Sequence, residues 1–149
     1  MNEKSLSRFL KAQENSYTTA LNEISSGKKI SHWMWYIFPQ IKGLGKSYDA
    51  RYYGISDLEE AQEYLANDIL RERLLEICGA LFALETNSPE KILGYTDAMK
   101  LKSSMTLFLM ADSKYEIFQA ILDKFYNGER DVLTLRILEN GEEKNERRS

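Results

Sequence analysis

Apolar residues recur at steps of three and four over the first part of the chain: Leu6, Phe9, Leu10, Tyr17, Ala20, Leu21 and Ile24, with Gln13 on the same stripe. This spacing predicts an amphipathic helix. Ser5 or Ser7 is placed to cap its start and Gly27 to end it. The pattern then changes. Trp33-Met34-Trp35-Tyr36-Ile37-Phe38 is apolar or aromatic throughout, and such a run cannot all face one side of a surface helix. Ser31 as an N-cap and Pro39 as a stop favour a short helix over a buried strand. Ile41 to Gly54 contains Gly43, Gly45 and Gly54 and reads as a loop with at most one helical turn, around Ser47 to Tyr53.

Helical spacing returns after Asp57. Asp57 and Glu60 stand three apart, as in a capping box, ahead of Ala61, Tyr64 and Leu65. Asn67 or Asp68 opens a longer helix whose apolar face is Ile69, Leu70, Leu74, Ile77, Cys78, Leu81, Phe82 and Leu84. Ser88-Pro89-Glu90 is a helix start and Gly94 the matching stop. Thr96 or Asp97 opens the next helix, Ala98 to Ala111. Asp112 or Ser113 opens another through Phe118, Ile121, Leu122 and Phe125, ending at Gly128, and Asp131 caps a last one. The sum is about seven helices in one all-α domain with irregular orthogonal packing. It covers residues 1–140, followed by a charged tail at 141–149 expected to be disordered.

Composition narrows the chemistry more than the class. The chain has 149 residues, a length suited to one domain. It holds one His and one Cys, so an intramolecular disulfide, a Cys-rich zinc site and any two-His metal site are excluded. No metal or cofactor is expected. The net charge of −3 provides no general attraction for nucleic acid or anionic membranes, and neither is expected as a partner. No secretory leader or apolar membrane span is read, which points to the cytoplasm. No Walker loop, GxGxxG, GxSxG or zinc spacing occurs. The sequence carries no signal of oligomeric state.

Two segments place polar groups among strongly apolar neighbours. In the first, His32 is the one side chain that ordinarily titrates near neutrality. Trp33 and Trp35 offer stacking surfaces, Gln40 a donor and an acceptor, and Gly43 and Gly45 a loop that an anion can approach. In the second, Asp97 and Lys100 can pair on one face, followed by Ser103, Ser104 and Thr106 on a helix that becomes wholly apolar. Each feature has a plainer reading. The aromatics fill a core, His32 bonds a carbonyl, Asp97 caps, and the hydroxyls bond back to carbonyls one turn earlier. Gly128-Glu129-Arg130-Asp131 before Thr134 is a third such segment, for which helix capping is a sufficient explanation and a binding role the lesser reading; Cys78 is explained by burial as an inert thiol.

The block His32 to Gln40 with Gly43-Leu44-Gly45 resembles the hallmark of a bacterial family, domain-of-unknown-function family 1810. Tyr53, Leu58-Glu59-Glu60-Ala61, Tyr64-Leu65 and Arg73-Leu74 follow in that family's order. So do Asp97, Lys100, Ser103 to Phe108, Gly128, Asp131 and Thr134-Leu135. The resemblance spans about Phe9 to Leu138. It implies a compact all-α domain and brings no established reaction or catalytic residues. The chain is also similar in type to NADAR-type helical domains, which are linked to ADP-ribose and N-glycosidic bonds.

These observations lead to the expectation of a small-ligand-binding domain, its ligand nucleotide-like or ADP-ribose-like, with a site between residues 31–45 and 96–106. His32, Asp97 and Lys100 are the candidate catalytic groups. Trp33, Trp35, Gln40, Gly43, Gly45, Ser103, Ser104 and Thr106 are the candidate ligand contacts. One alternative is a non-enzymatic interaction module with an exposed aromatic patch. Another is a metal-free hydrolase of N-glycosidic bonds.

Overall fold

A computed structural model describes the backbone of residues 2–148 and the side chains of residues 6–141. Nine helices follow one another among the described residues: α1 (Asn2–Ser25), α2 (Met34–Ile37), α3 (Tyr48–Tyr52), α4 (Leu58–Ala66), α5 (Asp68–Phe82), α6 (Pro89–Leu93), α7 (Tyr95–Ala111), α8 (Glu116–Tyr126) and α9 (Val132–Arg148). The count exceeds about seven because the short helix expected before Pro39 and the helical turn expected around Ser47 to Tyr53 are both present, as α2 and α3. No strand occurs among the described residues; a single parallel bridge joins Ile41 and Ile55. The side chains after Gly141, where the loose tail was expected, lie outside the described residues.

The centre of the fold is α7, against which α4, α6, α8 and α9 pack. From Ser103 to Leu109 every residue of α7 is buried. A helix buried on all sides needs no amphipathic stripe, so the polar residues on it must find partners inside. Around it one continuous core runs from Phe9 and Ile24 of α1 through Tyr64, Leu74 and Ile77 to Phe118 and Leu122. Cys78 lies in this core, and burial pushes its thiol above the ordinary range.

Local capping explains most boundaries. Asp57 accepts from the Glu60 amide, Asn67 from Leu70, and Ser88 from Lys91. Asp131 Oδ2 accepts from both the amide and the hydroxyl of Thr134, at 3.0 and 2.6 Å. Four starts differ from expectation. α1 begins at Asn2, ahead of both Ser5 and Ser7. The N-cap of α2 is Trp33, without a side-chain bond, because the Ser31 hydroxyl is engaged elsewhere. α7 begins at Tyr95, directly after Gly94, whose φ of +85° lets one residue end α6 and start α7. α8 begins at Glu116, since Asp112 closes α7 and accepts from the Lys114 amide instead.

The segment from Gln40 to Ile55 is held as a closed flap. Lys42 N donates to Ile55 O at 2.7 Å and Ile55 N to Gln40 O at 2.9 Å. Arg8 of α1 fixes the far end, donating to the carbonyls of Tyr52 and Gly54 at 2.8 and 2.9 Å and pairing with Glu60 at 3.2 Å. At Gly54 the backbones come so close that a Cβ would stand 2.8 Å from Ala50 O and 2.9 Å from Lys42 Cα.

Candidate functional site

The aromatic block divides into two parts with different surroundings. Its beginning is clasped by Glu23 of α1. The Glu23 carboxylate accepts from the amides of Ile30 and Ser31, from the Ser31 hydroxyl and from the Trp33 indole, at 2.8, 2.9, 2.6 and 2.9 Å. Partial burial works to raise the Glu23 pKa, but the bonds from Ser31, Ile30 and Trp33 outweigh it and hold the value at about 2, against an ordinary 4.5. Lys29 completes the clasp. Its ammonium meets Asp97 at 2.9 Å, donates to Ser31 O and lies 5.0 Å from the Trp33 ring centre. Trp33 is 1% exposed, so its ring belongs to the core.

The second part of the block faces a groove. Trp35 and Gln40 line it from one side, and Lys100 and Ser103 of α7 from the other. The groove holds about 340 Å³, a size usual for small-molecule sites. Leu44, Gly45, Lys46 and Ser47 continue the first wall into α3. Asp131 and Leu133, at the start of α9, close the far end. That end is fixed from α7: Thr106 Oγ1 donates to Lys102 O at 2.8 Å and accepts from Asp131 N at 2.9 Å.

Charge within the groove is uneven. Asp97 is shared by two ammonium groups, Lys29 at 2.9 Å and Lys100 at 3.4 Å. The charged residues that line the groove are Lys46, Lys100 and Asp131, a surplus of one positive charge. Lys100 also lies 4.9 Å from the Trp35 ring centre, a cation–π contact that fixes a long side chain in place. Lys46 lines the groove and, among the described residues, pairs with no carboxylate. At the other end, the Asp131 carboxylate is committed to capping α9.

The expected residues therefore separate. Trp35, Gln40, Gly45, Lys100 and Ser103 line the groove; Trp33, Gly43, Ser104 and Thr106 do not. His32 is exposed and outside it, with no bond to another described residue. Asp97 stands behind Lys100 and acts on the groove through it. Ser103 bonds back to Met99 O at 3.2 Å, whereas the buried Ser104 Oγ has no partner. Trp33 and Trp35 form no exposed patch, the first being buried and the second half-buried. Among the described residues the exposed aromatics are Tyr48, Tyr52, Phe82 and Tyr95. Sequence reasoning missed the α3 wall and Leu133, and assigned Asp131 chiefly to helix capping. Lys46-Ser47 directly after Gly45, with Tyr48 and Tyr52 one helical turn apart, was the signal available for α3.

Comparison with known proteins agrees with this architecture. The model of the family DUF1810, described as "Protein of unknown function", matches residues 3–138. Among solved structures, the chain is similar to the conserved hypothetical protein Rv1873 from Mycobacterium tuberculosis. The two are 46% identical, with a TM-score of 0.88, over 89% of this chain and 95% of that one. Among curated proteins none matches.

Proposed function

We propose, for a chain that belongs to the DUF1810 family, that the groove between α2, the flap and α7 binds a small anionic ligand of the nucleotide or ADP-ribose type in the cytosol. The observation that carries this reading is the pairing at the groove's mouth. Lys100 is held against Trp35 with only a shared carboxylate for company, and Lys46 stands unpaired nearby. Ammonium groups that the fold neutralises only in part, or not at all, attract anions locally, even on a chain of net charge −3. The apolar wall of Leu44, Met99 and Leu133 suits the uncharged part of such a ligand.

The reading stops at binding. His32 stands apart from the groove, and Asp97 is occupied by two lysines, so two of the three catalytic candidates are poorly placed for proton transfer. The test is a thermal-shift and calorimetric series with nucleoside mono- and diphosphates and ADP-ribose. A ligand at 100 times its Kd stabilises by about 2.7 kcal/mol, and Lys100→Ala, weakening binding about tenfold, should remove about half of that shift. A series in which no anionic ligand moves the transition would refute the reading.

A further inference from the structure

The groove does not end at Trp35. Beside the indole lies a smaller recess of about 10 Å³, lined by Gln40, Asp49 and Tyr53. Trp35, Gln40, Gly45 and Ala50 border both spaces, so the recess adjoins the groove. Its volume matches roughly one water molecule or one hydroxyl group. Close packing on two sides shapes it: a Cβ on Gly45 would stand 2.7 Å from Ala50 Cβ, and one on Gly54 would meet backbone.

The polar groups of the recess are unspent. Among the described residues, the Gln40 amide, the Asp49 carboxylate and the Tyr53 hydroxyl have no hydrogen-bond or ion-pair partner. This contrasts with Glu23, Glu60 and Asp97, whose carboxylates are all engaged. Asp49 can only accept, Gln40 can accept and donate, and Tyr53 donates. Burial, with Tyr52, Tyr36 and Asp49 nearby, raises the Tyr53 pKa, so the phenol keeps its proton at neutral pH. An anion would be repelled by Asp49. A small neutral group that both donates and accepts fits all three.

We propose that this recess is a hydroxyl-recognition subsite, in which Asp49 and Gln40 hold a hydroxyl of a sugar phosphate whose phosphate lies toward Lys46 and Lys100. The assignment rests on the anion-binding reading of the groove and adds the sugar. It makes Asp49, which composition and spacing did not single out, the residue that separates a sugar phosphate from a plain anion. The source of the sugar phosphate, a nucleotide or a free pentose phosphate, is left to the two arms of the test.

The experiment is a calorimetric titration of the full chain with adenosine 5′-monophosphate, its 2′,3′-dideoxy analogue, ribose 5-phosphate and inorganic phosphate. It is repeated with Asp49→Asn and Lys100→Ala, each first shown to keep the wild-type melting temperature. The expected result is that the ribonucleotide or ribose 5-phosphate binds at least about tenfold more tightly than the analogue lacking the hydroxyls. Asp49→Asn should bring that ratio close to one while leaving phosphate binding intact. Equal binding of ribo- and dideoxy-nucleotides, both weakened by Lys100→Ala, would overturn the subsite and leave the groove reading standing. Absence of binding by every probe would overturn both.

Discussion

Two stretches of the same aromatic block teach opposite lessons. At the start of the block the polar groups of Ser31 and Trp33 are spent inside the fold, on Glu23, Lys29 and, through Lys29, Asp97. From Trp35 to Asp49 the polar side chains of Gln40, Lys46 and Asp49 have no partner among the described residues. The first stretch is a clasp, and its chemistry is consumed by stability. The second is a wall, and its chemistry remains available to a ligand. Sequence proximity conceals this, because residues two apart in the block serve different ends.

The largest expected effect lies in the clasp. Glu23→Ala strips the acceptor from four donors, including the buried Trp33 indole. It should cost on the order of 2–4 kcal/mol in urea unfolding and leave ligand affinity of the folded protein unchanged. The same carboxylate sets a pH dependence. Its folded pKa is depressed, so its contribution is complete above about pH 4.5 and is lost as pH falls toward about 2. The stability gap between wild type and Glu23→Ala should close across that window. A gap that persists at its acid end would break the comparison.

Gly54→Ala comes next. Its Cβ would meet the Ala50 carbonyl and Lys42 Cα at 2.8 and 2.9 Å, so the flap must shift, at about 1–3 kcal/mol. Because the flap is also the groove wall, this variant should lose affinity along with stability, unlike Glu23→Ala. Lys100→Ala should show the reverse of Glu23→Ala. Its partly exposed ion pair with Asp97 contributes less than about 1 kcal/mol to stability, while affinity for an anionic ligand should fall about tenfold, or ~1.4 kcal/mol. The smallest effect belongs to His32→Ala. The exposed, unbonded imidazole should change stability by no more than about 0.5 kcal/mol, with affinity unaltered.

Much of the helical framework was legible because it is local. Asp57, Asn67, Ser88 and Asp131 cap the helices they precede, and a cap needs only its next three residues. Ser31 was misread because its hydroxyl bonds Glu23, eight positions back. No spacing rule reaches that far. The site was half legible for the same reason. Polar residues amid apolar neighbours marked Trp35, Gln40, Lys100 and Ser103, all of which border the groove. His32 and Trp33 share that composition yet lie outside the groove, since their fate depends on α1. Asp49 and Tyr53 sat in a stretch read as a glycine loop, and their convergence follows from the Ile41–Ile55 bridge and the Arg8 contacts.

The most direct test of the central claim is a pair of calorimetric titrations with ADP-ribose, one on the wild-type chain and one on Lys100→Ala. Saturable binding to the wild type, weakened about tenfold in the variant at an unchanged melting temperature, is the predicted result. Binding that is equal in the two proteins, or absent from the wild type, would contradict the assignment of the groove as an anion-binding site.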